Sequence, residues 1–178
     1  AYEMIRSIVG SEMCIRDSIN RYGITLAADM YVPKNVTGKL PAIAVCGPFG
    51  AVKEQAAGLY AQTMAERGFL TIAFDPSYTG ESGGEPRYVV SPDINTEDFS
   101  AAVDFLATND KVDSERIGII GICGWGGLAI NAAAADPRIK ATVASTMYDM
   151  SRVNANGYFD ADDSAEARNI LRKKLAAQ

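Results

Sequence analysis

Apolar residues fall along this chain in short blocks separated by polar, glycine- or proline-containing joints, and strand-like and helix-like spacing alternate among them. Residues 41–46 (PAIAVC), 69–74 (FLTIAF) and 116–122 (RIGIIGI) are short, rich in apolar and β-branched residues and almost uncharged, as parallel strands covered on both faces should be. Residues 139–147 (IKATVASTM) continue the series. Ahead of them, 19–33 reads as two short strands about a turn at Tyr22-Gly23, with Leu26, Ala28, Met30 and Val32 alternating onto one face of the second.

Between these blocks the spacing becomes helical. Over 53–67, Ala56, Leu59, Tyr60, Thr63, Met64 and Arg67 share one predicted helical face, and Gly68 follows as a stop. Asn95 can cap a second helix with Asp98 in its first turn and Phe99, Ala102, Val103 and Leu106 as its buried stripe. Residues 111–115 (KVDSE) read as a polar turn into the strand that follows, and 128–135 (LAINAAAA) are strong helix formers ending at Asp136-Pro137. This alternation predicts an α/β fold: a mostly parallel, doubly wound sheet with helices on both faces and right-handed crossovers.

The two ends fit that pattern less well. Within 1–18, Arg6, Glu12, Arg16 and Asp17 lie among apolar residues at neither period, and 11–18 (SEMCIRDS) resembles a translated sequencing-adapter read-through. Residues 1–18 are therefore expected to be a non-native or disordered leader, and Cys14 carries no functional weight. Residues 154–163 are polar, after which Asp163 and Glu166 can make a capping pair for a helix over 164–177 whose apolar stripe is Ala167, Ile170, Leu171 and Leu175.

Composition narrows the function classes. The chain has 178 residues, 48% hydrophobic and 22% charged, which suits one globular domain. Its net charge of -5, with no dense basic run, gives no electrostatic footprint for nucleic acid. The sequence lacks the roughly 18 consecutive apolar residues that a membrane span requires. Three cysteines at no metal-ligand spacing argue against a disulfide framework or a zinc site. No metal or cofactor is expected, and a reducing, cytoplasmic compartment fits.

The candidate chemistry lies at Gly121-Ile122-Cys123-Gly124-Trp125-Gly126-Gly127, where a buried strand breaks into glycines and a helix begins. The chain must turn sharply with Cys123 at the corner, and Gly121, Gly124 and Gly126 permit approaches that a Cβ would block. A thiol held there faces a helix N-terminus, whose free N–H groups stabilise a thiolate and later an oxyanion. The motif resembles the nucleophile elbow of the α/β-hydrolase fold, and with cysteine as nucleophile it is most similar to the dienelactone hydrolase family. One departure is Trp125, where the family carries a small residue.

The resemblance covers about 19–150 and implies further roles. Gly47-Pro48-Phe49-Gly50 corresponds to the loop that supplies one oxyanion-hole N–H. Pro48 has none to give, so Phe49 is the candidate, with Gly50 second, alongside Gly124. Thr79-Gly80-Glu81-Ser82-Gly83-Gly84 resembles a further loop of the family, whose preceding Asp75 more often ties loops down than catalyses. Asp149, at a strand's carboxyl end, is the candidate triad acid, with loop anchoring as its competing role. Cys46 and Cys123, on strands adjacent in the family's sheet, could lie close together as two packed, reduced thiols.

Residues 151–178 correspond to the start of a lid or cap helix, so 19–150 is expected to be a partial core, truncated after about the sixth strand. The chain contains no histidine, although acyl transfer from an elbow cysteine normally needs an imidazole. The expectation is the front portion of a hydrolase acting on a small ester, lactone or thioester, inactive by itself. The alternative is a non-catalytic binding or scaffold protein of the same fold, with Trp125 filling the pocket. A nucleotide-binding domain is disfavoured because the glycine spacing is not G-x-G-x-x-G.

Overall fold

The computed structural model describes residues 9–34 and 36–177, and the chain divides into two compact units between Met147 and Tyr148. In the first unit six strands, β1 (Val9–Ile19), β2 (Thr25–Pro33), β3 (Leu40–Cys46), β4 (Leu70–Phe74), β5 (Val112–Ile122) and β6 (Ile139–Ser145), form one sheet. Their order is β1-β2-β4-β3-β5-β6. The last four are mutually parallel, whereas β2 runs antiparallel to both β1 and β4. Three helices belong to this unit: α1 (Ala56–Ala65), α2 (Pro92–Thr108) and α3 (Gly124–Ala135).

Alternation along the strands feeds two cores. Ala42, Ala44 and Cys46 of β3 pack with Phe99 of α2 and Leu128 of α3, while Ile43 and Val45 pack with Ala57 and Ala61 of α1. Both faces are covered, which is why these strands can be apolar at nearly every position. β2 shows the same effect: Ala28, Met30 and Val32 face one core and Tyr31 the other.

The structure corrects several element readings. Backbone 9–19 pairs along β2 as β1, although no strand period is visible there; antiparallel pairing is made by main-chain groups and needs none. Residues 1–8 lie outside the described residues. The predicted face of α1 is only partly the packed one: Ala56 and Met64 are partly buried against the core, but Leu59 and Tyr60 are exposed, and Ala57, Gly58, Ala61 and Ala65 are the buried residues. At Gly58 a side chain is excluded by the segment that leads into the helix. A Cβ on Gly58 would sit 2.7 Å from the Lys53 carbonyl oxygen.

Helix α2 starts earlier than predicted, at Pro92, with Ser91 as N-cap and proline in the first turn, where its missing N–H costs nothing. Its stripe is as expected: Phe99, Ala102, Val103 and Leu106 are buried. Asn95 instead accepts the Ser91 N–H and donates to Asp98. Asp98 is buried and accepts four hydrogen bonds, from the Ser77 N–H (2.8 Å), the Ser77 hydroxyl (2.7 Å), Asn20 (2.8 Å) and Asn95 (2.9 Å). Burial pushes this carboxyl up from its usual range, against the pull of those donors. The network ties the β1–β2 turn and the segment after β4 to α2. Most of the turn predicted at 111–115 lies within β5, where residues 113–116 bulge out between the Leu40–Val112 and Ala42–Ile117 pairs.

The second unit contains α4 (Met150–Asn156), a 3-10 turn (Tyr158–Asp160) and α5 (Ala165–Ala176). Ser164, not Asp163, caps α5 by accepting the Ala167 N–H, and Asp163 pairs with Arg168. Arg152 makes a two-pronged contact with Asp160, which holds that carboxyl down at about 2. Among the described residues no helix is long and apolar enough to cross a membrane.

The packed face of α1 gives a direct test. Ala61→Leu should lower stability by about 2 kcal/mol through overpacking, whereas Leu59→Ser should change it by no more than about 0.5 kcal/mol. Urea denaturation midpoints check both, and equal effects would contradict the observed packing.

Candidate active site

The carboxyl ends of β3, β4, β5 and β6 share one edge of the sheet, because these strands are parallel. At that edge β5 ends at Ile122 and α3 begins at Gly124, leaving Cys123 alone between them. Its backbone is at φ 60° and ψ -128°, a left-handed conformation that L-residues avoid and that costs roughly 1–3 kcal/mol. The Cys123 N–H donates to the Ser145 carbonyl of β6 (2.8 Å), and its own carbonyl accepts from the Gly126 N–H (3.0 Å). Strand pairing thus holds one side of the corner and the first helical turn the other.

Glycine is required at two points of this turn. A Cβ on Gly121 would lie 2.2 Å from the Trp125 carbonyl oxygen, so the turn can close only over a bare α-carbon. A Cβ on Gly124 would lie 2.2 Å from two ring carbons of Phe49. The Phe49 ring therefore rests directly on the first residue of α3. The structure brings together the two residues expected to supply oxyanion donors, and among the described residues neither backbone N–H makes a hydrogen bond.

Phe49 belongs to a reverse turn closed by the Ala51 N–H donating to the Pro48 carbonyl (3.0 Å), with Gly50 at φ 76° as the third residue of such a turn requires. Farther along the same loop, the Lys53 N–H donates to Asp75 (2.7 Å). Asp75 is fully buried, also accepts the Glu81 N–H (2.9 Å), and faces the Lys53 ammonium at 3.7 Å. Burial pushes the Asp75 carboxyl up from its usual range, opposed by those two N–H groups and the Lys53 charge. Burial alone would lower the Lys53 ammonium, but its hydrogen bonds to Glu54 and Glu81 and the charge of Asp75 outweigh that and hold it above its ordinary value. Asp75 is thus a loop anchor joining the segments after β3 and β4. Gly80, at φ 57°, lies so close to it that a Cβ would overlap the carboxylate.

Cys123 is a partly exposed free thiol packed at the edge of the α1-side core. Cys46 is paired in register with Gly121 but is fully buried in the opposite core, where burial, and then the charges of Asp98 and Asp75, push its thiol up. The two sulfurs therefore belong to different faces. Trp125 is 2% exposed, and its ring lies in the α2-side core against Phe99 and Phe49. This accommodates the bulky residue that departs from the family pattern. Asp149 caps α4, accepting the Arg152 N–H (2.9 Å) and the Ser151 hydroxyl (2.6 Å), and the Ser151 bond is the main reason its carboxyl is held low.

Sequence reading missed Lys53 and Glu81 as partners of Asp75. A lysine and a glutamate in separate loops carry no periodic mark of burial. Among the described residues no group of three or more histidine, cysteine, aspartate or glutamate side chains is placed to hold a metal ion.

A family model described as X-Pro dipeptidyl-peptidase (S15 family) matches residues 22–177. The uncharacterized protein PA2218 of Pseudomonas aeruginosa is 73% identical over 160 residues, covering 89% of this chain and 43% of that protein. Its crystal structure matches with a TM-score of 0.89 and 63% identity over 97% of this chain and 53% of that chain. Thiohydrolase aneE of Aspergillus aculeatus is 38% identical over 100 residues, 56% of this chain and 31% of that protein. A Klebsiella pneumoniae structure named for dienelactone hydrolase shares the fold, with a TM-score of 0.62 and 24% identity over 78% of this chain and 61% of that one. The chain spans about half the length of PA2218, and a smaller part of aneE.

Strain at the corner predicts an inverted preference. Cys123→Gly should be more stable than Cys123→Ala by about 1 kcal/mol, because glycine alone accepts this φ without penalty. In the same urea titrations Gly121→Ala should cost at least about 2 kcal/mol. Alanine equal to or better than glycine at 123 would show that the corner is relaxed.

Proposed function

The chain belongs to the X-Pro dipeptidyl-peptidase (S15) family and has the α/β-hydrolase fold, and on that premise we propose that it forms part of a hydrolase that cleaves an ester, lactone or thioester with Cys123 as nucleophile. The observation that carries this reading is the strained Cys123 corner with Gly124 seated under the Phe49 ring. Strain of this kind persists only where the surrounding structure over-determines it, and it clusters at active sites. The name of the Aspergillus relative, a thiohydrolase, supports thioesters among the candidate substrates.

In the proposed reaction the Cys123 thiolate attacks the carbonyl carbon. The negative charge that develops on the carbonyl oxygen is received by the N–H groups of Gly124 and Phe49. The leaving alcohol or thiol departs and a thioester forms on Cys123, which water then hydrolyses. A general base takes the thiol proton and returns it to the leaving group. These 178 residues contain no histidine, so the reading draws that base from outside them. Asp149, engaged as the cap of α4, acts in this reading as an anchor rather than as the acid.

The reading predicts stoichiometry without turnover. Incubated with p-nitrophenyl acetate at neutral pH, the 178-residue chain should release at most one equivalent of nitrophenolate, with the acetyl group found on Cys123 by peptide mapping. Cys123→Ala should take up none there. Sustained, Cys123-dependent turnover would refute the need for an external base, and labelling that ignores Cys123 would refute the nucleophile.

A further inference from the structure

We infer that Trp125 is a positioning residue that fixes the spacing of the two proposed oxyanion donors through the Phe49 ring; this rests on the functional reading above. Four aromatic rings run in series from the donor loop into the sheet. Phe49 meets Trp125 edge-on, with centroids 5.9 Å apart and planes at 78°. Trp125 meets Phe99 of α2 at 6.3 Å and 62°, and Phe99 meets Phe74 of β4 at 5.3 Å and 89°. Edge-to-face contacts of this kind are directional, so each ring sets the tilt of the next.

Only the outermost ring of this series belongs to a loop. Trp125, Phe99 and Phe74 are each 2% exposed or less, and close-packed interiors move little. Phe49 is partly buried, carries the candidate N–H on its own backbone, and rests on the Cα of Gly124, which carries the other. With its ring wedged between Gly124 and Trp125, the Phe49 amide has a set distance from the Gly124 amide. The Trp125 carbonyl is meanwhile packed over Gly121. The same residue therefore closes the corner through its backbone and supports the donor loop through its side chain. A small residue here would leave the Phe49 ring without a floor. The indole touches no reacting atom in this scheme; its effect passes entirely through Phe49.

Two thiol reagents separate this role from simple structural support. In alkaline buffer, hydroxide removes the Cys123 proton and no protein base is needed. With p-nitrophenyl acetate, the thiolate forms a bond to the carbonyl carbon, the electron pair moves to the carbonyl oxygen, and the C–O bond to nitrophenolate then breaks. With dithiobis(nitrobenzoate), the thiolate attacks sulfur, the S–S bond breaks and thionitrobenzoate leaves, with no oxyanion formed. Both rates are followed at Cys123 by peptide mapping in the parent chain and in Trp125→Leu, Trp125→Phe and Phe49→Leu.

Acylation should slow by about tenfold or more in the two leucine variants, as a displaced donor costs. Disulfide exchange should stay within about twofold, and Trp125→Phe, which keeps a ring edge under Phe49, should retain most of the acylation rate. Phe49→Leu leaves the buried indole in place and decides the matter if Trp125→Leu fails to fold. An unchanged ratio of the two rates, or a parallel fall in both, overturns the proposal. A parent chain whose ratio is no higher than that of N-acetylcysteine refutes the oxyanion site itself, and the role of Trp125 with it.

Discussion

The arrangement at the sheet edge depends on one steric fact: the chain reverses from β5 into α3 within a single residue, and it can do so only because Gly121 has no side chain where the Trp125 carbonyl must pass. The reversal forces Cys123 to positive φ and leaves its thiol partly exposed at the carboxyl edge of a parallel sheet. The same reversal starts α3 at Gly124, which makes Cys123 the N-cap residue of a helix whose first N–H groups have no partner within the helix. Strain, partial exposure and a place at a helix N-terminus are three consequences of one backbone turn.

A strained corner needs stiff surroundings, and these come from opposite kinds of interaction on its two sides. The α2 side is hydrocarbon: Trp125, Phe99 and Phe74 pack edge to face under the sheet, and Phe49 extends that packing to the neighbouring loop. The loop edge is polar. Asp75 and Asp98 are buried carboxylates that accept backbone N–H groups from other segments: Asp75 from Lys53, 22 residues away, and from Glu81 in its own loop, and Asp98 from Ser77, 21 residues away. Removing a partner from such a site leaves an unpaired buried charge, which costs far more than the bond was worth. Buried carboxylates of this kind therefore define loop positions more sharply than apolar contacts could.

Much of this was legible in the sequence, and for identifiable reasons. The order of strands and helices followed from runs such as FLTIAF and RIGIIGI, because a strand covered on both faces has to be apolar at consecutive positions. The corner at Cys123 followed from glycines at 121, 124 and 126, since a missing Cβ is visible in the sequence itself. The adjacency of β3 and β5, which carries Phe49 to Gly124, followed from the resemblance to the hydrolase fold and is matched by the observed strand order.

What the sequence determined by itself, then, is what depends on residue type and near neighbours: periodicity, sharp turns and the place of a cysteine at a helix start. Only the tertiary structure decided which way a helix faces and which charges are buried. Helix α1 turns Ala57, Ala61 and Ala65 inward and leaves Leu59 and Tyr60 outside, because the available space, rather than hydrophobicity, sets the packing face. Lys53 is buried because Glu54, Asp75 and Glu81 converge on it from two loops, and Trp125 is core because Phe49 and Phe99 flank it. Apart from Glu54, those partners are distant along the chain, and distance in sequence leaves no local trace.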